Sequence, residues 1–313
     1  MRLRAEDPAR QCMPQSGRLA AGAMPETGPG ALRVEHGLRP GEAVPPYYDS
    51  MIAKLVAHGR SRGEALRKLA AGLQQVVALG LATNQDFLAA CIRHPVFAVG
   101  GATTAFIAEH QDALLTPPDA QAQARAAAAA VALRLLVAPG ASAARPHGLP
   151  RLQRLVISGQ ALSGSATVTA ADALTLAVGE HTVAVQVLQD APGVARLIVD
   201  GLASDVPWAA DGAWLWLRHG GLGWAVQDRS LAAADSGVAG ASDGRLRASL
   251  SGRVVALQVA VGDVVKAGQP LLTLEAMKME HQHSAPCDGT VTALSVALGD
   301  QVAGGRVLLA IGD

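Results

Sequence analysis

The chain has 313 residues, half of them apolar, which is enough for two or three domains with substantial buried cores. Its 26 Lys and Arg balance its 26 Asp and Glu, so no global field recruits nucleic acid, a membrane surface or an acidic substrate. Cys12, Cys91 and Cys287 lack CxxC spacing, which argues against a disulfide framework and a zinc site. MRLRAEDPAR has no apolar signal core, and Arg125 and Arg134 spoil the alanine-rich stretch as a membrane span. A cytoplasmic protein in a reducing compartment is the expectation.

Along the chain, VPPYYDSMIAKLVAHG reads as a strand running into a buried segment. SRGEALRKLAAGLQQVV places Leu66, Leu69, Leu73 and Val76 at helical spacing behind an S-x-x-E cap formed by Ser61 and Glu64. A second helix is expected from a T-x-x-D signature, Thr83 and Asp86, stopping before Pro95, and Thr103 or Thr104 caps a third. The first 110 or so residues are therefore α+β. PPDAQAQARAAAAAVALRLL, residues 117–136, has the alanine content of a strong helix, ended by Pro139-Gly140, and reads as a connector.

From 150 to 228 the pattern turns to period two, with Val183, Val185 and Val187 alternating and Asp200-Gly201 and Asp211-Gly212 marking hairpin turns. All four tryptophans, Trp208, Trp214, Trp216 and Trp224, fall here and read mainly as packing residues of a compact β domain. LAAADSGVAGASDG, 231–244, is a linker by composition.

The final segment repeats. Gly252, Gly262, Asp263, Gly268 and Leu271 recur at Gly289, Gly299, Asp300, Gly305 and Leu308, each 37 residues later. Two similar strand sets related by a pseudo-twofold, forming a small antiparallel sandwich, follow from that repeat. The joining segment EAMKMEHQHSA is then the unique hairpin, with Lys278 at its exposed tip and Met277 and Met279 beside it. A lysine on a hairpin is usually just a solvated turn residue, but two methionines on a turn suit a surface that another protein grips. His281 and His283 form an H-x-H, which without a third ligand reads as exposed strand residues.

Ala276-Met277-Lys278-Met279 resembles the attachment motif of the biotinyl domain of biotin-dependent carboxylases. The resemblance implies biotin joined by an amide to Lys278 by a biotin protein ligase, with Met277 and Met279 as the recognition frame. A lipoyl carrier shares the fold but usually sets its lysine in D-K-A. The family often enters the first strand with A-P-M-P-G; Ala248-Ser249-Leu250-Ser251-Gly252 lacks both prolines, which is expected to loosen that entry. Upstream, RLRAEDPAR, VPPYYDSMIAKLVAHG and ALGLATNQDFLAACIRHPVF look like the C-terminal part of a biotin carboxylase domain.

Altogether the chain resembles the C-terminal portion of the biotin-containing alpha subunit of a methylcrotonoyl-, geranyl- or propionyl-CoA carboxylase. The implied organisation is multidomain. A truncated α+β biotin carboxylase C-terminal domain spans 1–112, a connecting helix and linker 113–145, and a β-rich joining domain 146–230. A flexible linker, 231–245, leads to an all-β biotinyl domain, 246–313, a flattened sandwich of two four-stranded antiparallel sheets. Arg2 matches the arginine that in the family lies beside the biotin ureido group and stabilises its enolate, as a cation held at developing negative charge would. Asp49 matches a motif aspartate and is given a structural role.

No G-x-x-x-x-G-K-[ST] and no comparable glycine-rich loop occurs, so ATP and Mg are expected only in a region outside this sequence. Met1 directly precedes the motif arginine, where the family continues backwards, which implies a truncated or internally started reading frame. The resulting expectation is a carrier portion: biotin on Lys278 takes CO2 from a carboxylase site to an acyl-CoA on a carboxyltransferase beta subunit, with the linker supplying reach. The alternative is a non-catalytic assembly fragment that docks the beta subunit through residues 150–228.

Overall fold

A computed structural model describes residues 1–28, 32–37, 39–138, 147–232, 244–277 and 279–312. The chain divides into two compact units. One comprises Met1–Leu3, Arg18–Glu42 and Ala53–Ala233; the other comprises Arg4–Gly17, Ala43–Ile52 and Ala234–Asp313. The linker expected at 231–245 and the Pro139-Gly140 stop fall almost wholly outside the described residues.

In the first unit, Leu32–His36 pairs antiparallel with residues 53–57, Leu32 lying opposite Ala57 and His36 opposite Ala53. Helix α1 (Arg62–Gln75) is capped as its sequence demands: the Glu64 amide donates to Ser61 Oγ at 3.2 Å, and Glu64 Oε2 accepts from the Arg60 amide at 2.8 Å. Helix α2 (Gln85–Arg93) stops before Pro95 as expected, but its N-cap is Asn84 rather than Thr83. Asp86 serves a different purpose from capping. Its carboxylate accepts from Arg218 Nη2 at 3.2 Å and from the Gly223 amide at 2.9 Å, tying α2 to the β domain. Helix α3 (Phe106–Leu114) follows, with Ala105 at its N-cap in place of the expected Thr103 or Thr104 and no side-chain cap; Thr103 Oγ1 accepts from the Ala105 amide at 3.2 Å instead.

Helix α4 (Ala120–Ala132) begins at Asp119, whose side chain accepts from the Ala122 amide at 2.7 Å. Eight strands follow: β1 (Pro150–Ile157), β2 (Gln160–Ala170), β3 (Ala173–Val178), β4 (His181–Ala191), β5 (Val194–Val199), β6 (Leu202–Asp211), β7 (Trp214–His219) and β8 (Leu222–Asp228). Each pairs antiparallel with the next, and β1 with β8, so the sheet closes into a barrel. Alternate residues point inward, among them Leu174, Leu176, Val183, Val185, Leu197, Leu215 and Leu217.

The alanine helix, expected as a connector, lies within this barrel's core. Ala124 and Ala126 through Leu133 are buried on every side, and α4 meets β1, β3, β4, β5, β7 and β8. The reason is steric: an eight-stranded barrel encloses little more than its own side chains, so a helix fits inside only if its side chains are small. The two arginines that interrupt the run reach the barrel's opposite mouths. Arg125 Nε bonds Asp200 at 2.8 Å, and Arg134 Nη2 donates to the Ala213 carbonyl at 3.1 Å. Of the tryptophans, Trp208 and Trp224 enter the core, whereas Trp214 is exposed and stacks on Trp216 at 5.8 Å between ring centroids.

The second unit holds the expected flattened sandwich. Its strands are β9 (Arg245–Arg247), β10 (Gly252–Leu257), β11 (Val264–Val265), β12 (Pro270–Ala276), β13 (Met279–Ser284), β14 (Gly289–Leu294), β15 (Gln301–Val302) and β16 (Val307–Gly312). They form two four-stranded sheets, ordered β9-β16-β14-β11 and β13-β12-β10-β15. Strands 37 residues apart, such as β10 and β14 or β11 and β15, occupy equivalent places in opposite sheets. The turns repeat as well. Asp263 Oδ2 accepts from the Ala260 amide at 2.8 Å and Asp300 Oδ2 from the Ala297 amide at 2.9 Å. Gly268 and Gly305 adopt φ of 83° and 81°, a left-handed conformation suited to glycine.

Candidate functional site

The site is the hairpin joining the two halves of the sandwich. Glu275 lies opposite Glu280 and Ala276 opposite Met279, so the β12–β13 loop is two residues long. Its first residue, Met277, has φ 47°, as a tight hairpin turn demands and a bulky side chain tolerates poorly. Lys278 itself lies outside the described residues.

The methionines expected to act together as an exposed frame differ. Met279 is 42% exposed, whereas Met277 is 8% exposed. The Met277 amide donates to the Pro46 carbonyl at 3.1 Å, and with Pro14, Ser16, Pro46, Leu250 and Ser251 it lines a small crevice of this unit. Met277 is therefore a packed residue, held from both backbone and side chain; only Met279 offers an open thioether flank.

His283, expected to be exposed, is buried. The Ser249 amide and hydroxyl lie 3.1 and 2.9 Å from His283 Nε2, and Nδ1 lies 3.1 Å from the His281 carbonyl. A backbone amide only donates, so Nε2 is the acceptor and the proton sits on Nδ1, a neutral tautomer. Burial pushes the His283 pKa down, opposed by its bond to the His281 backbone and reinforced by the nearby His281 ring; burial also lowers His281. This pairing also overturns the loosened strand entry. Ser249 is held by His283, and Ser251 Oγ accepts from the Gly304 amide at 3.0 Å, so both serines standing at the proline positions are bonded.

In the same unit, Arg4 Nη1 meets Glu6 Oε1 at 3.0 Å and Asp49 Oδ1 at 3.4 Å, and Ser50 Oγ donates to Glu6 at 2.6 Å. Asp49 also accepts from the Met51 amide at 2.9 Å. Arg2 belongs to the other unit, where its side chain is exposed and its carbonyl accepts from Asn84 Nδ2 at 3.4 Å. The contribution of Asp86 and Arg218 was hidden in the sequence, because the T-x-x-D spacing reads equally well as a helix cap.

Residues 1–109 match the family described as the biotin carboxylase C-terminal domain, and residues 246–311 match the one described as biotin-requiring enzyme. The chain thus couples a biotin carboxylase C-terminal domain with a biotin-requiring domain. Against the alpha subunit of mitochondrial methylcrotonoyl-CoA carboxylase from Dictyostelium discoideum it is 30% identical over 92% of its own length and 44% of the relative's. Against the propionyl-CoA carboxylase alpha chain of Ruegeria pomeroyi it is 29% identical over 90% of its length and 46% of that chain. The biotin carboxylase of Halalkalibacterium halodurans shares 41% identity over 35% of this chain and 24% of its own. The chain is homologous to the C-terminal part of methylcrotonoyl- and propionyl-CoA carboxylase alpha subunits and spans less than half their length.

The residues present fit biotin. The group needs one primary amine for a single amide bond; the sequence has one lysine directly after Met277, and the flanking Ala276 and Met279 pair across the β12–β13 connection. Among the described residues no helix is long and apolar enough to cross a membrane.

Proposed function

We propose that the chain is the carrier-bearing portion of an acyl-CoA carboxylase alpha subunit, with biotin on Lys278. The observation that carries this reading is the two-residue hairpin at the junction of two matched half-sandwiches, with the A-M-K-M motif across it. Bound there, biotin supplies a mobile acceptor and donor for a carboxyl group. The chain's own residues do the positioning. Met277 is anchored at Pro46 and fixes the turn, while Met279 leaves a polarizable flank for the biotin protein ligase. Arg2 brings an exposed cation of the kind that stabilises developing negative charge. The carboxylase site with its ATP and Mg, the carboxyltransferase beta subunit and the acyl-CoA belong to the rest of the assembly.

The test is co-expression with biotin protein ligase and detection with streptavidin. Labelling of the native chain that disappears in Lys278→Arg supports the reading; equal labelling of both defeats it. A lipoyl carrier would instead react with an antibody to lipoamide. A docking role of the barrel toward a beta subunit is supported by the exposed Trp214 stacked on Trp216, a combination favoured at interfaces. It requires that Trp214→Ala weaken co-purification with the beta subunit while leaving biotinylation intact.

A further inference from the structure

The mouth of the barrel reached by Arg125 contains a cavity of about 300 Å³ that the carrier role does not use. Two tight hairpin turns and a helix frame it. Asp200-Gly201 joins β5 to β6 with φ of 48° and 80°, and Gly220-Gly221 joins β7 to β8 with φ of 62° and 80°. The two-glycine turn places no side chain over the opening. Ala122 and Arg125, on the first turns of α4, form the third side.

The walls are apolar, built from Val199, Leu222 and Trp224, and the Trp224 indole is fixed by donating from Nε1 to the His219 carbonyl at 3.0 Å. Set into these walls are two polar atoms, Ser204 Oγ and His219 Nδ1. Both are buried, and neither has a hydrogen-bond partner among the described residues. Buried polar groups of this kind cost stability unless something satisfies them. Arg125 stands at the rim with Nε committed to Asp200 at 2.8 Å, an arrangement that orients the guanidinium and leaves its two terminal nitrogens to other acceptors.

Charge decides what kind of molecule suits the site. Burial keeps the His219 ring neutral, and the positive field of Arg125 at that ring outweighs the opposing field of Asp200. The cavity therefore presents a hydroxyl, an imidazole nitrogen that donates in one of its two neutral tautomers, and a guanidinium at the rim, all of which a carboxylate would satisfy. At ordinary packing the volume accommodates roughly ten to fifteen non-hydrogen atoms.

We propose that this mouth of the barrel is a binding site for a small organic acid. The apolar body lies against Trp224, Val199 and Leu222, and the carboxylate is held by Arg125 with Ser204 and His219 as the remaining donors.

The experiment is a titration of the full chain, labelled with nitrogen-15, with 4-phenylbutyrate and, in parallel, with its neutral counterpart 4-phenylbutanol. The indole N–H resonances of the four tryptophans are followed. The site requires saturable movement of the Trp224 resonance by the acid, with the alcohol at least about tenfold weaker. Arg125→Met should remove that preference for the acid. Because losing Arg125 also removes a tie between helix and barrel, Ala122→Leu provides a second probe: it fills the cavity, leaves the ion pair intact and should abolish binding of both compounds with the melting temperature retained. A Trp224 resonance that neither compound moves, equal affinity for acid and alcohol, or undiminished binding in a folded Ala122→Leu variant would each overturn the proposal.

Discussion

His283 shows how one side chain can set the conditions under which the biotin-requiring domain holds together. Its neutral ring accepts from Ser249 and spans from the hairpin strand β13 to the entry of the first half. Because burial depresses its folded-state pKa, the unfolded chain takes up the proton first as pH falls. The contribution to stability is therefore complete above the unfolded histidine value, about 6.5, and declines below it until the folded ring titrates. His281, lowered by burial, acts with the same sign. The unfolding midpoint of this unit should fall between pH 7.5 and 5.5, and His283→Phe, with no ring to protonate, should show a smaller fall. The sequence gives no hint of this bond: H-x-H on a strand puts both rings on one face, but whether that face is covered depends on residue 249, more than thirty positions away. The A-M-K-M motif is equally silent about Met277, whose burial comes from Pro46 and its neighbours.

Among the elements, helix α4 and the repeated turns carry the clearest energetic consequences. Ala128 is fully enclosed, so Ala128→Leu forces three extra heavy atoms into a filled barrel and should destabilise the first unit by roughly 1–3 kcal/mol, despite leucine's good helix propensity. The same substitution on an exposed connecting helix would change stability by a few tenths, and denaturant titration distinguishes the two. The sequence signals the helix through its alanines but not its surroundings, because alanine forms helices as well in water as in a barrel. In the sandwich, Gly268 and Gly305 have open space where a Cβ would stand, so only their left-handed φ is at stake. Gly268→Ala and Gly305→Ala should each cost about 1–2 kcal/mol, and by similar amounts, because the two turns are copies. Unequal costs would mean that the pseudo-twofold does not extend to the turns.

For the molecule as a whole, each compact unit has its own core, one built on α4 and the barrel, the other on the two half-sandwiches. Calorimetry of the full chain should accordingly show two unfolding transitions, with Ala128→Leu lowering one and Gly268→Ala the other; a single transition moved by both would contradict the division. By itself, the sequence determined the class of each segment, the 37-residue repeat and its sandwich, and the A-M-K-M motif that joins the halves. These are local or periodic signals, carried by propensity, turn chemistry and spacing. Only the tertiary structure decided that the alanine helix is the inside of a barrel, that Asp86 pairs with Arg218, that Met277 and His283 are covered, and that Arg125, Ser204 and His219 face one cavity. Each depends on residues brought together across tens of positions by chain closure, and burial and pairing at that range leave no mark on the pattern of neighbours along the chain.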